Sequence, residues 1–132
     1  MLKKTARIKP IIQHNTILKM KDYLLIYRTD HNAMPKATPE QAQVTTKKWM
    51  DWIGSIAAQN KLTSPGNRLD ASGKVVRANN VVTNSPYAEI KETVGGYSIV
   101  KAETYEAAVE LAKGCPILAV GGNVEVREIS EL

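Results

Sequence analysis

The stretch that decides the fold reads Gly95-Gly96-Tyr97-Ser98-Ile99-Val100-Lys101, passes through residues 104–113, and ends in Asn123-Val124-Glu125-Val126-Arg127-Glu128-Ile129. The two outer segments are short and rich in β-branched or aromatic residues, and paired glycines punctuate the backbone, which predicts strands. The middle segment predicts a helix. Tyr105, Ala108, Val109 and Ala112 fall at i, i+3, i+4 and i+7, Thr104 suits the N-cap, and Gly114 followed by Pro116 ends the run. A strand-helix-strand of this length makes a right-handed crossover that leaves both strands parallel in one sheet, though not necessarily adjacent.

Working outward, Asp22-Tyr23-Leu24-Leu25-Ile26-Tyr27-Arg28 predicts another strand, and its near-continuous apolar run places it centrally, covered on both faces. Residues 29–36 read as a loop. Thr38 with Pro39 and Gln41 forms a capping box, which starts a helix expected to reach Gln59. Trp49, Trp52, Ile53 and Ile56 share one face of it, at the spacing of core packing rather than of a stacking platform. Residues 62–69 suggest a strand in which Pro65-Gly66 requires an edge position or a bulge. Lys74-Val75-Val76-Arg77 and Val81-Val82-Thr83 predict a hairpin with an irregularity at Asn79-Asn80, broken by Asn84-Ser85-Pro86-Tyr87. Residues 115–122 read as a loop with a small apolar patch.

The order β-α-β-β-β-α-β describes an α+β protein, a ferredoxin-like sandwich with an extra β-hairpin. Two helical stripes cover one face of a mainly antiparallel sheet. A second copy is the expected cover for the other face, and two sheets packed in this way make a dimeric α/β barrel.

At 132 residues and 14.5 kDa the chain fits one domain, and no apolar run approaches the ~20 residues of a membrane-spanning helix. Its charge of +5 is localised. Lys3, Lys4, Arg7, Lys9 and Lys19 precede the first acid, Asp22, which leaves thirteen basic against thirteen acidic residues in the remainder. A neutral folded part argues against nucleic-acid binding, and a basic tail alone binds phosphate backbones weakly. Residues 1–19 therefore read as a basic extension, dispensable for the fold, with Met20 as an alternative start and 20–132 as the domain. One cysteine, Cys115, precludes an intramolecular disulfide, and with no secretory signal evident the expected compartment is the cytoplasm.

Little of the sequence spells out a reaction. His14, His31 and Cys115 show no ligand spacing, so neither a metal site nor a cofactor is expected. Gly95-Gly96 and Gly121-Gly122 lack the offsets of a phosphate loop and read as turns. Cys115, beside Pro116, reads as a small buried hydrophobe. The last strand is more informative: Val124 and Val126 point one way, Glu125 and Arg127 the other. The two charges form either an ion pair or part of a ligand site in the barrel, with Arg28, Asn84, Tyr87, Lys91 and Tyr97 as further ligand-binding candidates.

Three ordered motifs carry a family resemblance: Val82-Thr83-Asn84-Ser85-Pro86-Tyr87-Ala88-Glu89-Ile90-Lys91-Glu92, Gly95-Gly96-Tyr97, and Gly122-Asn123-Val124-Glu125-Val126-Arg127. Over about residues 20–129 the chain resembles the YCII-related, or DGPF-domain, family. The resemblance implies a dimeric α/β barrel, kinship with small barrel enzymes, a histidine–aspartate acid-base pair of the kind proposed for some of them, and encoding near extracytoplasmic-function sigma factors, as for many members. The chain departs from the enzyme pattern. The family's Asp-Gly-Pro-Phe stands here as Asn84-Ser85-Pro86-Tyr87, and an amide exchanges no proton near neutral pH. Residues 38–59 contain no histidine, so His31 and Tyr87 are the remaining acid-base candidates. The expected function is a homodimer holding a small polar or anionic ligand in its barrel. The alternatives are an interaction module for a sigma factor and a small isomerase-like or hydrolase-like enzyme.

Overall fold

A computed structural model of the protein describes residues 19–30, 36–85 and 93–131. Its elements are β1 (Lys21–Thr29), α1 (Pro39–Ala58), β2 (Leu62–Arg68), β3 (Gly73–Val76), β4 (Val82–Ser85), β5 (Thr93–Ala102), α2 (Tyr105–Ala112) and β6 (Asn123–Glu128). The main sheet has the order β2-β5-β1-β6 with every neighbour antiparallel, and β3 and β4 pair with each other as a separate hairpin. β5 and β6 thus run parallel on either side of β1, as the crossover requires. The architecture is α+β and ferredoxin-like, with a hairpin added.

Alternation along β1 sets the two faces of the sheet. Tyr23, Leu25, Tyr27 and Thr29 are buried, while Leu24, Ile26 and Arg28 are half-buried on the opposite face. The buried set meets Trp52 and Ile56 from α1, Ala108 and Ala112 from α2, and Val100 and Ala102 from β5 in one core. Both helices therefore cover the same side. The Trp52 indole N–H donates to Leu111 O at 3.0 Å and ties α1 to α2, while Tyr27, Trp49 and Trp52 pack edge to face. The capping box forms as the sequence predicts: Gln41 N donates to Thr38 Oγ1, and Thr38 N donates to Gln41 Oε1.

Four sequence expectations change in detail. Gly95 and Gly96 are not a turn but lie inside β5, where the register slips opposite Tyr27 and Arg28 and a Cβ on Gly96 would come within 2.9 Å of Asn67 O. These glycines permit a bulge and a close strand approach. Residues Pro116–Val120 form a 3-10 turn whose Ile117 enters the core, because Pro116 at its start suits a helical first position. β4 continues through Asn84 and Ser85, carried by ladder pairs to Lys74 and Gly73. Tyr105 and Val109, placed on the inner stripe of α2, are about 40% exposed (43% and 38%) because α2 flanks the sheet at β6. Tyr105 still packs on Tyr23, and its hydroxyl accepts from Glu128 N at 2.8 Å.

Both sheet edges are blunted against further strand pairing. β2 carries Pro65 and two register shifts, and β6 carries Glu125, Arg127 and Glu128. Among the described residues, no helix is long and apolar enough to cross a membrane.

Candidate functional site

The face of the sheet turned away from the helices gathers most of the candidates that fall in described segments. Antiparallel register places Asn67, Tyr97, Ile26 and Glu125 in one row across all four strands. The next row toward the β1 N-terminus holds Ile99, Leu24 and Arg127, and the row on the other side holds Val94, Arg28 and Asn123. Leu24, Ile26 and Ile99 thus make a half-buried apolar floor, with polar groups around it.

One corner concentrates charge. Arg28 Nη1 donates to Glu125 Oε1, and Arg127 Nη1 donates to Glu125 Oε2 at 3.1 Å. Two guanidiniums share a single carboxylate, so the cluster carries a net positive charge. Arg28 is the less exposed of the two, at 31% against 66% for Arg127. A guanidinium has five N–H donors in a planar fork, which leaves Arg127 well equipped to meet an anion from solvent.

The hydrogen bond from Arg28, and secondly the one from Arg127, hold the Glu125 carboxyl below its ordinary value of 4.5. A depressed folded-state pKa means that the ion cluster's contribution to stability is fully present above the ordinary carboxylate range and is lost progressively as the pH falls from that range through the depressed value. The carboxyl carbon of Glu125, followed by NMR, is expected to titrate below 4.5. Arg28→Met should return its midpoint upward by more than Arg127→Met does. Equal shifts in the two variants would show that the arginines hold Glu125 equivalently.

Tyr97 lies across Ile26 from Glu125, two strands and therefore about 10 Å away. Its hydroxyl accepts from Asn67 Nδ2 at 3.3 Å. The phenol and the arginine corner stand on opposite sides of the apolar floor. Asn84 stands apart on the hairpin, where its Oδ1 accepts from Lys74 Nζ at 2.7 Å. His31, Tyr87 and Lys91 lie outside the described residues.

Nothing local in the sequence marks Leu24, Ile26 and Ile99 as a floor, although the alternation along β1 holds the first two and that along β5 the third. At the far end of the face, Asp22 Oδ1 accepts from Thr63 Oγ1 at 2.6 Å and from Lys101 Nζ at 3.5 Å, a grouping that needs the register and has no sequence signal.

Behind the sheet, polar groups serve the core. Tyr27 Oη donates to Ser98 Oγ, which donates to Pro65 O, each at 2.7 Å. Burial raises the Tyr27 phenol well above its ordinary range, so it stays protonated. Burial likewise pushes the Cys115 thiol up to about 11, which suits the packed role expected of it and not that of a nucleophile.

Among known families, the model of the YCII-related domain matches residues 20–132. No curated protein matches the chain.

Proposed function

The chain belongs to the YCII-related domain family, and from that premise we propose that it binds a small anionic ligand, carrying a carboxylate or a phosphate, as a homodimer. The observation that carries this reading is the surplus guanidinium at the Arg28–Glu125–Arg127 corner, set beside an apolar floor on an open sheet face. Arg127 supplies the charge, Arg28 and Glu125 hold it in place, and Tyr97 offers a phenol on the far side of Ile26. An ion pair built purely for stability needs no second arginine with two-thirds of its surface in solvent.

A second copy covering this face would lower the dielectric around the corner and strengthen each charge-assisted bond to the ligand. Blunted edges at β2 and β6 disfavour dimerisation by strand addition, which directs association to the faces. A reaction is not part of the proposal: the corner offers arginines and an ionised carboxylate held below its ordinary pKa, a poor general base near neutral pH.

Calorimetric titration of the full chain with inorganic phosphate and with benzoate tests the reading. Binding of at least one probe is expected, weakened about tenfold or more by Arg127→Met, as loss of a charge-assisted hydrogen bond implies. The fold should persist, because Arg127 points away from the core. Unchanged affinity in the variant would remove Arg127 from the site.

A further inference from the structure

The open sheet face is charged at its β6 side and neutral at its β2 side. Asn67 and Tyr97 begin the row that ends in Glu125, and neither ionises near neutral pH. Lys101 is the one charged residue within β5; it lies two rows from Tyr97, and its ammonium donates to Asp22 Oδ1 at 3.5 Å. What the neutral side offers is a directed hydrogen bond. A phenol donates once and accepts through its lone pairs. The Tyr97 hydroxyl accepts from Asn67 Nδ2 at 3.3 Å, and among the described residues it donates to none. The phenolic hydrogen lies in the ring plane on one side of the oxygen or the other, so an N–H arriving from β2 turns the O–H away from that strand. Tyr27, on the core side of the neighbouring strand, is the contrast: its O–H is taken by Ser98.

The face therefore treats the two ends of a ligand differently. Arg127 meets an anionic group, and Leu24, Ile26 and Ile99 meet an apolar body. Tyr97, half-buried beyond Ile26, meets an acceptor. A second anionic group at the Tyr97 end would find no cation in its row and would exchange its water for neutral donors alone. We propose that the site takes a monoanion whose apolar body carries a neutral hydrogen-bond acceptor, such as a carbonyl oxygen, at the end opposite the charge, and that Tyr97 selects for that acceptor. Asn67 is a positioning residue, acting through the phenol. A donor held ready in this way discriminates because an analogue lacking the acceptor leaves the O–H unmet once water is displaced. This inference rests on the anion-binding reading above and needs no second copy of the chain.

The test is calorimetric titration of the full chain with two matched pairs of probes, para-acetylbenzoate against para-isopropylbenzoate and the corresponding biphenyl carboxylates, which cover two lengths. Members of a pair share charge and shape and differ in the carbonyl oxygen. In at least one pair the acetyl probe is expected to bind about fivefold more tightly, the size of one neutral hydrogen bond. Tyr97→Phe keeps the ring and removes the hydroxyl, so that advantage should vanish, whereas Arg127→Met should weaken both members of the pair alike. An advantage absent from both pairs, or one that survives Tyr97→Phe, would overturn the selection and leave the anion corner standing. Binding of benzoate with failure of all four substituted probes would do the same. Failure of these probes together with benzoate and inorganic phosphate would overturn the anion reading, and this inference with it. Should the variant misfold, transferred nuclear Overhauser effects in the wild-type chain decide: contacts from the acetyl methyl to the Tyr97 ring support the selection, and their absence overturns it.

Discussion

Gly66→Ala is expected to destabilise the fold by ~4 kcal/mol or more, at the far end of what single substitutions do. Gly66 has φ +70°, and a methyl group there would overlap the carbonyl oxygen of Tyr97 and lie 2.6 Å from its carbonyl carbon. Both obstacles are backbone, so no rotamer change relieves them. Moving β2 outward would relieve them, but Pro65 O accepts the hydrogen bond that ends the buried Tyr27–Ser98 chain, and Asn67 and Arg68 pair with Tyr97 and Gly96. Peeling β2 away strands the Ser98 hydroxyl, which is 1% exposed, beside a buried phenol. An unmet buried donor adds about 1–3 kcal/mol to the cost of the strained backbone. Gly54→Ala is the matched control. It lies within α1 with nothing within 4 Å of the added methyl, and alanine there should stabilise by roughly 0.5–1 kcal/mol through helix propensity. Urea denaturation of the two variants should move the midpoint in opposite directions. A Gly66→Ala midpoint close to wild type would mean that β2 does not pack on β5 at the bulge.

The same bulge shows where sequence reading succeeds and where it stops. Pro65-Gly66 within an otherwise strand-like run announces an edge strand with an irregularity, because proline lacks the donor a central ladder needs. The partner of that irregularity is not legible: that Gly66 meets the Tyr97 carbonyl follows from register between residues 31 positions apart. Local chemistry likewise specifies the Thr38 cap, the Trp49–Trp52–Ile56 stripe and the crossover from β5 to β6, each set by neighbours a turn or a strand away. Gly95-Gly96 misleads as a turn signal because glycine also marks a close approach within a strand, and composition does not distinguish the two. At the candidate site, Glu125 and Arg127 could be paired from their spacing on one strand. Arg28 joins them through register between β1 and β6, and the apolar floor becomes visible only once the helices are known to occupy the other side.

Leu24→Asp is expected to give a folded monomer. Leu24 sits between Ile99 and Arg127 on the open face, with its backbone paired on both sides and its neighbours Tyr23 and Leu25 turned into the core. In a single copy the new carboxylate lies directly across from the Arg127 guanidinium, an opposite-charge pair worth roughly 0.2–1 kcal/mol that offsets much of the lost apolar contact. The isolated subunit should therefore melt within a few degrees of wild type. In a dimer packed through this face, the substitution enters twice by symmetry, and each carboxylate must lose water near the centre of the interface. Desolvating a charged pair at the centre of an interface costs several kcal/mol, so the dissociation constant should rise about 1,000-fold, read by sedimentation or light scattering. Val44→Asp, on the outer surface of α1 where Val44 is 55% exposed, should leave association unchanged. If Leu24→Asp stays dimeric, the interface is not the open face, and the reason for placing a shielded pocket over Arg127 goes with it. If it is monomeric, phosphate or benzoate titration of that monomer separates two forms of the ligand proposal. Affinity retained would mean that the Arg28–Glu125–Arg127 corner suffices alone, although the new carboxylate competes for Arg127. Titrating Ile99→Asp, whose charge is one strand farther from Arg127, resolves that competition. Affinity lost in both variants would mean that the anion is held only where a second copy has removed the water.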